Sequence, residues 1–147
     1  MAASESALDV VVVVGNPKPG SRTRQAAELV AERVAGHPAD EVIELADLGP
    51  RLLGWGDEEV GRAKARALAA DLVVVASPTF KATYTGLLKL FLEQFDAGEL
   101  AGTPALPVML GGSPAHQLAG EHTLKPVLVE IGFSCPTPSL YLLDSEW

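Results

Sequence analysis

A loop at residues 15–23, called the first loop here, lies between an apolar run and a helical pattern. Ser21 and Thr23 flank the guanidinium of Arg22 where the following helix must begin. Free amide N–H groups and the helix dipole both favour an anion at such a position. The first loop therefore predicts a phosphate site, and the alternative is that Ser21 only caps the helix.

The spacing within the first loop narrows the kind of phosphate ligand. Gly15 and Gly20 have the spacing of a nucleoside-triphosphate loop, but Ser21 stands where that motif requires lysine. Pro17 and Pro19 also remove two amides that such a cradle would use. No Gly-x-Gly-x-x-Gly follows the apolar run, which argues against a wrapped pyrophosphate. A single terminal phosphate monoester fits better, and we predict FMN.

Two further polar loops complete the candidate site, at residues 77–86 (the second loop) and 111–116 (the third loop). Phe80 and Tyr84 offer aromatic surface to a flat ring, and Lys81 offers positive charge where a reduced flavin becomes anionic. The alternative is that both aromatics pack in the core and the lysine is solvated. Gly111 and Gly112 would let main chain approach a ligand edge, although a tight turn alone would also use them.

The elements that position these loops alternate along the chain. Apolar runs at 8–14, interrupted only by Asp9, and at 72–76 are typical of central parallel strands buried on both faces. Shorter strands are predicted at 41–45, 106–110 and 139–143, and helices at 21–35, 57–70, 88–95 and 124–131. The stretch 47–56 is predicted as loop, and Pro126 should kink its helix or lie near the start.

This alternation predicts an α/β fold in one domain spanning residues 1–147. Strict β-α-β repetition implies a parallel, doubly wound sheet with right-handed crossovers. Five strands favour a flavodoxin-like three-layer α/β/α sandwich with strand order 2-1-3-4-5. In that order, the loops after strands one, three and four meet at the carboxyl edge of the sheet.

Composition excludes several functional classes. The formal charge is −8, from 11 Lys+Arg and 19 Asp+Glu, so we expect no binding to nucleic acid or to anionic membranes. The single cysteine, Cys135, and three scattered histidines have no zinc spacing, and we expect Cys135 to be a packing residue. The first seven residues lack a signal-peptide pattern, and we predict a cytoplasmic protein.

The motifs of the three loops, in their order along the chain, resemble the NADPH-dependent FMN reductases. The resemblance is strongest to the sulfonate-utilisation type, which feeds reduced flavin to a monooxygenase. The matching segments are Gly15…Ser21-Arg22-Thr23, then Ser77-Pro78-Thr79-Phe80-Lys81-Ala82-Thr83-Tyr84-Thr85-Gly86-Leu87-Leu88-Lys89, and then Gly111-Gly112-Ser113…His116…Leu124-Lys125-Pro126-Val127-Leu128.

The resemblance implies a role for each matching position. Ser21, Arg22 and Thr23 would hold the phosphate, with Asn16 standing where the family usually has serine. Pro78, Thr79, Phe80 and Lys81 would line the isoalloxazine ring. The third-loop residues would meet the pyrimidine side and the nicotinamide pocket, namely Gly111, Gly112, Ser113 and His116.

Two features are set apart from this family pattern: the end of the chain departs from it, and His122 has two interpretations. A terminal helix usually covers the sheet after the fifth strand, and only four residues follow it here. We expect either that the chain stops short of its natural end or that a neighbouring subunit covers the gap, as a homodimer or homotetramer. His122 would lie at a subunit interface near the flavin, or on an ordinary surface.

The implied reaction is hydride transfer from the nicotinamide C4 of NADPH or NADH to the flavin N5. This step needs no general acid or base, and Lys81 would support the developing charge. Reduced flavin would pass to a partner monooxygenase or to a quinone-type acceptor. The alternatives are a flavodoxin-like FMN-binding electron carrier and a non-catalytic flavodoxin-like subunit. The sequence leaves open which nicotinamide is used and whether FMN stays bound.

Overall fold

Five parallel strands form one sheet in the computed structural model, which describes residues 7–147. The strand order is β2-β1-β3-β4-β5, as the alternation predicted. The strands are β1 (Val10–Val14), β2 (Glu41–Glu44), β3 (Leu72–Pro78), β4 (Ala105–Gly111) and β5 (Leu140–Leu143). The predicted flavodoxin-like architecture is confirmed.

Side-chain alternation along the central strands builds two cores, one on each face of the sheet. Val11 and Val13 face a core shared with helices on one side, whereas Val10, Val12 and Val14 face the other. All five valines are at most 2% exposed, because β1 and β3 have neighbours on both edges and cover on both faces. The edge strand β5 is only half-buried.

The helices are α1 (Arg22–Ala35), α2 (Leu45–Leu48), α3 (Glu58–Leu68), α4 (Gly86–Leu92) and α5 (Lys125–Glu130). Helix α1 covers one face through buried alanines that let it lie close to the sheet: Ala26, Ala27 and Ala31. Helices α3, α4 and α5 contribute to the core on the opposite face. None of the helices among residues 7–147 has the length and apolar character needed to cross a membrane.

Two stretches differ from the sequence prediction. The predicted loop at 47–56 is wrong in part, because α2 ends at Leu48 and a 3₁₀ turn spans Gly49–Leu53. Burial of Leu45 and Leu52 stabilises these short turns, which have little periodicity of their own. Before α5, a π-helical turn at Gly120–Leu124 was not predicted, whereas Pro126 does lie in the first turn of α5.

Candidate functional site

The first and second loops meet around an open cavity of about 480 Å³ at the carboxyl edge of the sheet. Several predicted residues line it together: Asn16, Ser21, Arg22, Thr23, Pro78 and Phe80. Lys18, Gly20, Gln25 and Asp144 also contribute to its wall. The remaining predicted residues lie on the second and third loops outside this lining: Thr79, Lys81, Gly111, Gly112, Ser113 and His116.

Hydrogen bonds fix the shape of the first loop from within. The side-chain amide Nδ2 of Asn16 donates to Thr23 Oγ1 over 3.1 Å. The side-chain oxygen of Asn16 accepts from the main-chain amide of Lys18 over 2.9 Å. Ser21 Oγ accepts from the Arg24 amide at 3.3 Å, so the helix-capping role of Ser21 is present. Ser21 and Thr23 are both buried at the end of the loop, whereas residues 17–20 are exposed.

Two arginines at the start of α1 differ in whether a carboxylate pairs with them. Arg24 pairs with Glu28 at 3.3 Å and with Glu44 at 3.4 Å. The hydrogen bond to Glu28 and the nearby carboxylates raise the pKa of Arg24 above its usual value. Arg22 is exposed at the cavity and donates instead to the Asp144 carbonyl oxygen over 3.1 Å. Its guanidinium faces no carboxylate within salt-bridge distance in the described part of the chain.

One buried threonine ties the second loop to the first. Thr85 Oγ1 donates to the Gly15 carbonyl oxygen at 2.6 Å and accepts from the Leu88 amide, which makes it the N-cap of α4. The Thr85 amide in turn donates to Ser77 Oγ at 3.0 Å. Gly15 has no room for a side chain, since a Cβ there would lie 2.7 Å from the Leu88 Cβ.

The tip of the second loop is a strained two-residue hairpin. Phe80 and Thr83 pair through their main chains, with N···O distances of 2.8 and 3.3 Å. Between them, Lys81 and Ala82 adopt φ of 52° and 65°, a left-handed conformation that costs L-residues about 1–2 kcal/mol each. Such strain persists only where the surrounding structure imposes it, and it concentrates at functional sites.

The aromatic residues of the second loop divide between the two roles considered for them. Phe80 is 49% exposed and lines the cavity, so its ring surface is available to a flat ligand. Tyr84 packs against the hydrophobic core, as the packing alternative held. Lys81 is exposed at the hairpin tip.

The third loop lies beside the second. Tyr141 from β5 donates its hydroxyl to the Ser113 carbonyl oxygen at 2.7 Å. The Tyr141 side chain occupies the place where a Cβ on Gly111 would point, and Thr79 Oγ1 would lie 3.1 Å from that Cβ. Thr79 Oγ1 is buried and has no hydrogen-bond partner in the described residues. An unpaired buried hydroxyl is costly, so a ligand that supplied a partner would be favoured here.

The histidines and the cysteine are less informative. His116 is half-buried at the end of an otherwise exposed 3₁₀ turn in the third loop, and His122 is exposed on the π-helical turn. Cys135 is half-buried and packs against the core, and this burial raises the pKa of its thiol. A raised pKa disfavours the reactive thiolate, which agrees with the predicted packing role.

Sequence reasoning missed three residues that organise the site: Glu44, Thr85 and Thr123. Thr85 carried a usable signal, since a threonine directly before an apolar helical pattern is a typical N-cap. Glu44 and Thr123 act on loops 24 and 40 residues away, through Gly20 and Thr83 respectively. Contacts of that range depend on strand register and helix placement, which local patterns do not contain.

The strand order and the phosphate-suited turn after β1 define the class of flavodoxin-like α/β proteins. Comparison with known proteins specifies the family within that class. Residues 8–147 match the family model for NADPH-dependent FMN reductase, and the chain belongs to that family. The family predicted from the three loop motifs is confirmed.

Individual relatives agree with this assignment. An FMN reductase (NADPH) from Pseudomonas aeruginosa is 35% identical over 129 residues, which cover 83% of this chain and 69% of that protein. An NADH-dependent FMN reductase, SfnF, from Pseudomonas putida is 30% identical over 130 residues, with 83% and 70% coverage. Among solved structures, the apo form of an NADH:FMN oxidoreductase (EMOB) is similar with a TM-score of 0.82 and 33% identity, covering 94% of this chain and 76% of that one.

Proposed function

We propose that this protein reduces FMN with NADPH or NADH, using the cavity between the first and second loops. The observation that carries the proposal is the meeting of two unlike surfaces around one cavity. On one side lies the cationic start of α1, and on the other lies the exposed ring of Phe80. A flavin mononucleotide has a matching anionic tail and flat ring, and it supplies the N5 atom that accepts hydride.

The phosphate would be held by the first turn of α1. The leading amides of a helix have no intrahelical acceptors, and the helix dipole favours an anion beside them. Arg22 adds a guanidinium that forms no ion pair with a carboxylate in the described part of the chain. The hydroxyls of Ser21 and Thr23 complete the set, while Asn16 holds the loop in shape around them.

The ring would lie against the second and third loops. Pro78 and Phe80 offer apolar surface at the cavity. Thr79 lies between them outside the lining, and its buried hydroxyl, which has no partner in the described residues, would gain one from a polar ring edge. Lys81 places positive charge at the hairpin tip, where it would stabilise negative charge on a reduced ring. Third-loop residues would border the pyrimidine and nicotinamide sides, namely Gly111, Gly112, Ser113 and His116.

The remaining expectations belong to the same proposal. We propose a single-domain cytoplasmic protein that acts as a homodimer or homotetramer and passes reduced flavin to a monooxygenase or a quinone-type acceptor. The similarity to SfnF, an NADH-dependent FMN reductase, and to the Pseudomonas aeruginosa enzyme named for NADPH supports testing both nucleotides.

The direct test records the visible spectrum of the purified protein with FMN, then adds NADPH or NADH anaerobically. We expect loss of the oxidised-flavin absorbance at a rate that depends on protein concentration. A protein that binds FMN but does not speed its reduction would instead be the electron carrier. A protein that neither binds FMN nor gains thermal stability from it would be the non-catalytic subunit.

A further inference from the structure

We propose that Glu44 is a positioning residue that sets the affinity of the first loop for the flavin phosphate without touching the ligand. The inference rests on the proposed function and deepens it. Glu44 was not singled out by its sequence context, since it ends a short edge strand. Its role emerges from where the sheet places it.

The register of the sheet brings Glu44 beside the first loop. In the parallel pairing of β1 with β2, Glu44 lies opposite Val14, the last residue before that loop. Its side chain is only 8% exposed. Both carboxylate oxygens accept from the Gly20 amide, at 3.0 and 3.3 Å. A nearly buried carboxylate with an amide donor and an arginine partner is held firmly in one place.

Gly20 is the point at which the loop turns into α1. Its φ of 62° is left-handed, a conformation that glycine adopts without steric cost. Pro17 and Pro19 have no amide hydrogen, and the Lys18 amide is bound by Asn16. With the Gly20 amide bound by Glu44, the loop amides left for an anion are those of Asn16, Ser21, Arg22 and Thr23, the last three at the start of α1. The Glu44 contact therefore fixes the direction in which the loop enters the helix.

Glu44 also helps Glu28 to keep Arg24 away from the cavity. It pairs with Arg24, which Glu28 already holds, so that guanidinium is neutralised away from the cavity. Glu44 itself does not line the cavity, whereas Arg22 does. The phosphate would thus meet Arg22 and the helix amides, with Arg24 and Glu44 behind them as a fixed support.

The test compares FMN with riboflavin, which has the same ring and no phosphate. Dissociation constants of both are measured by flavin fluorescence for the wild type, Glu44→Ala and Glu44→Gln. We expect Glu44→Ala to raise the dissociation constant of FMN about 10-fold, the effect of one lost hydrogen bond to a charged group. The dissociation constant of riboflavin should stay within about twofold of the wild-type value. Glu44→Gln keeps an acceptor for the Gly20 amide and should restore FMN affinity to within about threefold of wild type.

Glu41→Ala is the matched control, because Glu41 begins the same strand and pairs with Arg66, far from the first loop. It should leave both dissociation constants unchanged. If Glu44→Ala does not fold, Glu44→Asp replaces it, since the shorter side chain keeps the charge but draws back from Gly20. A second readout needs no ligand, because the Gly20 amide should exchange its hydrogen faster in Glu44→Ala than in wild type.

If Glu44→Ala weakens the binding of FMN and of riboflavin equally, or weakens the binding of neither, the positioning role is overturned. Either result would leave the proposed function standing, provided that the wild type binds FMN and reduces it. A wild type that binds neither flavin would remove both proposals together.

Discussion

The first and second loops of the candidate site are built in opposite ways. In the first loop, side chains satisfy the amides of Lys18 and Gly20, through Asn16 within the loop and Glu44 on β2, and the residue at positive φ is Gly20. The second loop ends in a hairpin whose left-handed residues are Lys81 and Ala82, neither of them glycine. Both loops are exposed at their tips, so they differ in strain rather than in burial: left-handed residues other than glycine occur in the second loop and not in the first.

This difference indicates a division of work between the loops. A relaxed loop with fixed amides suits a part of the ligand that does not change during the reaction, such as a phosphate. A strained hairpin is maintained by contacts from outside, among them the 2.8 Å hydrogen bond between Thr83 Oγ1 and Thr123 Oγ1 on the π-helical turn. We expect a change at Thr123 to alter the hairpin without moving the first loop, although Thr85 joins the two loops at their bases, and three variants test this separation.

The largest effect is expected from Arg22→Ala in the first loop. Hydrogen bonds to charged groups contribute about 1.5–3 kcal/mol, so FMN should bind roughly 10- to 150-fold more weakly. Riboflavin should bind almost as before, because it lacks the phosphate. Titration of both flavins measures this, with Arg33→Ala in the last turn of the same helix as control. An equal loss for both flavins would contradict the separation of the loops.

A smaller effect is expected from Thr123→Val, which removes the hydrogen bond to Thr83 and preserves the side-chain shape. A neutral hydrogen bond contributes about 1 kcal/mol, so the hairpin should loosen and flavin should bind roughly fivefold more weakly. The binding of FMN and of riboflavin should weaken alike, since we propose that the hairpin lies against the ring. Thr123→Ser restores the hydroxyl and should restore binding. Weakening confined to FMN would show that the hairpin also governs the phosphate.

The smallest effect is expected from Ala82→Gly at the hairpin tip. Glycine relieves the left-handed strain but loses more chain entropy on folding, so the free energy of unfolding should rise by about 0.5 kcal/mol. Urea denaturation measures this. Ala69→Gly is the control, because Ala69 is exposed at the end of α3 with an ordinary φ of −86°, and there glycine should destabilise. A loss of stability in Ala82→Gly would mean that the tip is not strained.

Much of the fold was predictable because local signals agreed with it. The valine run of β1 is typical of a buried strand, and Ser21 and Asp57 cap helices as serine and aspartate do directly before a helical pattern. The strand order followed from strict alternation, because right-handed crossovers leave few arrangements for five strands. The loops that carry the candidate site were located for the same reason.

What escaped prediction depends on contacts distant in sequence. Leu52 lies in a short turn that exists because the core buries it, and nothing in residues 47–56 repeats with a helical period. The π-helical turn starts at Gly120, which packs so closely against Ser139 that a side chain there would collide. Glu44 gains its importance from pairing register alone. Each of these requires the assembled sheet.

The position of the Thr85 hydroxyl has a consequence for the cost of ligand binding. Because one oxygen both caps α4 and bonds the Gly15 carbonyl, the first and second loops are joined without help from a ligand. Under the proposed function, FMN would therefore spend little of its binding free energy on bringing these two loops together.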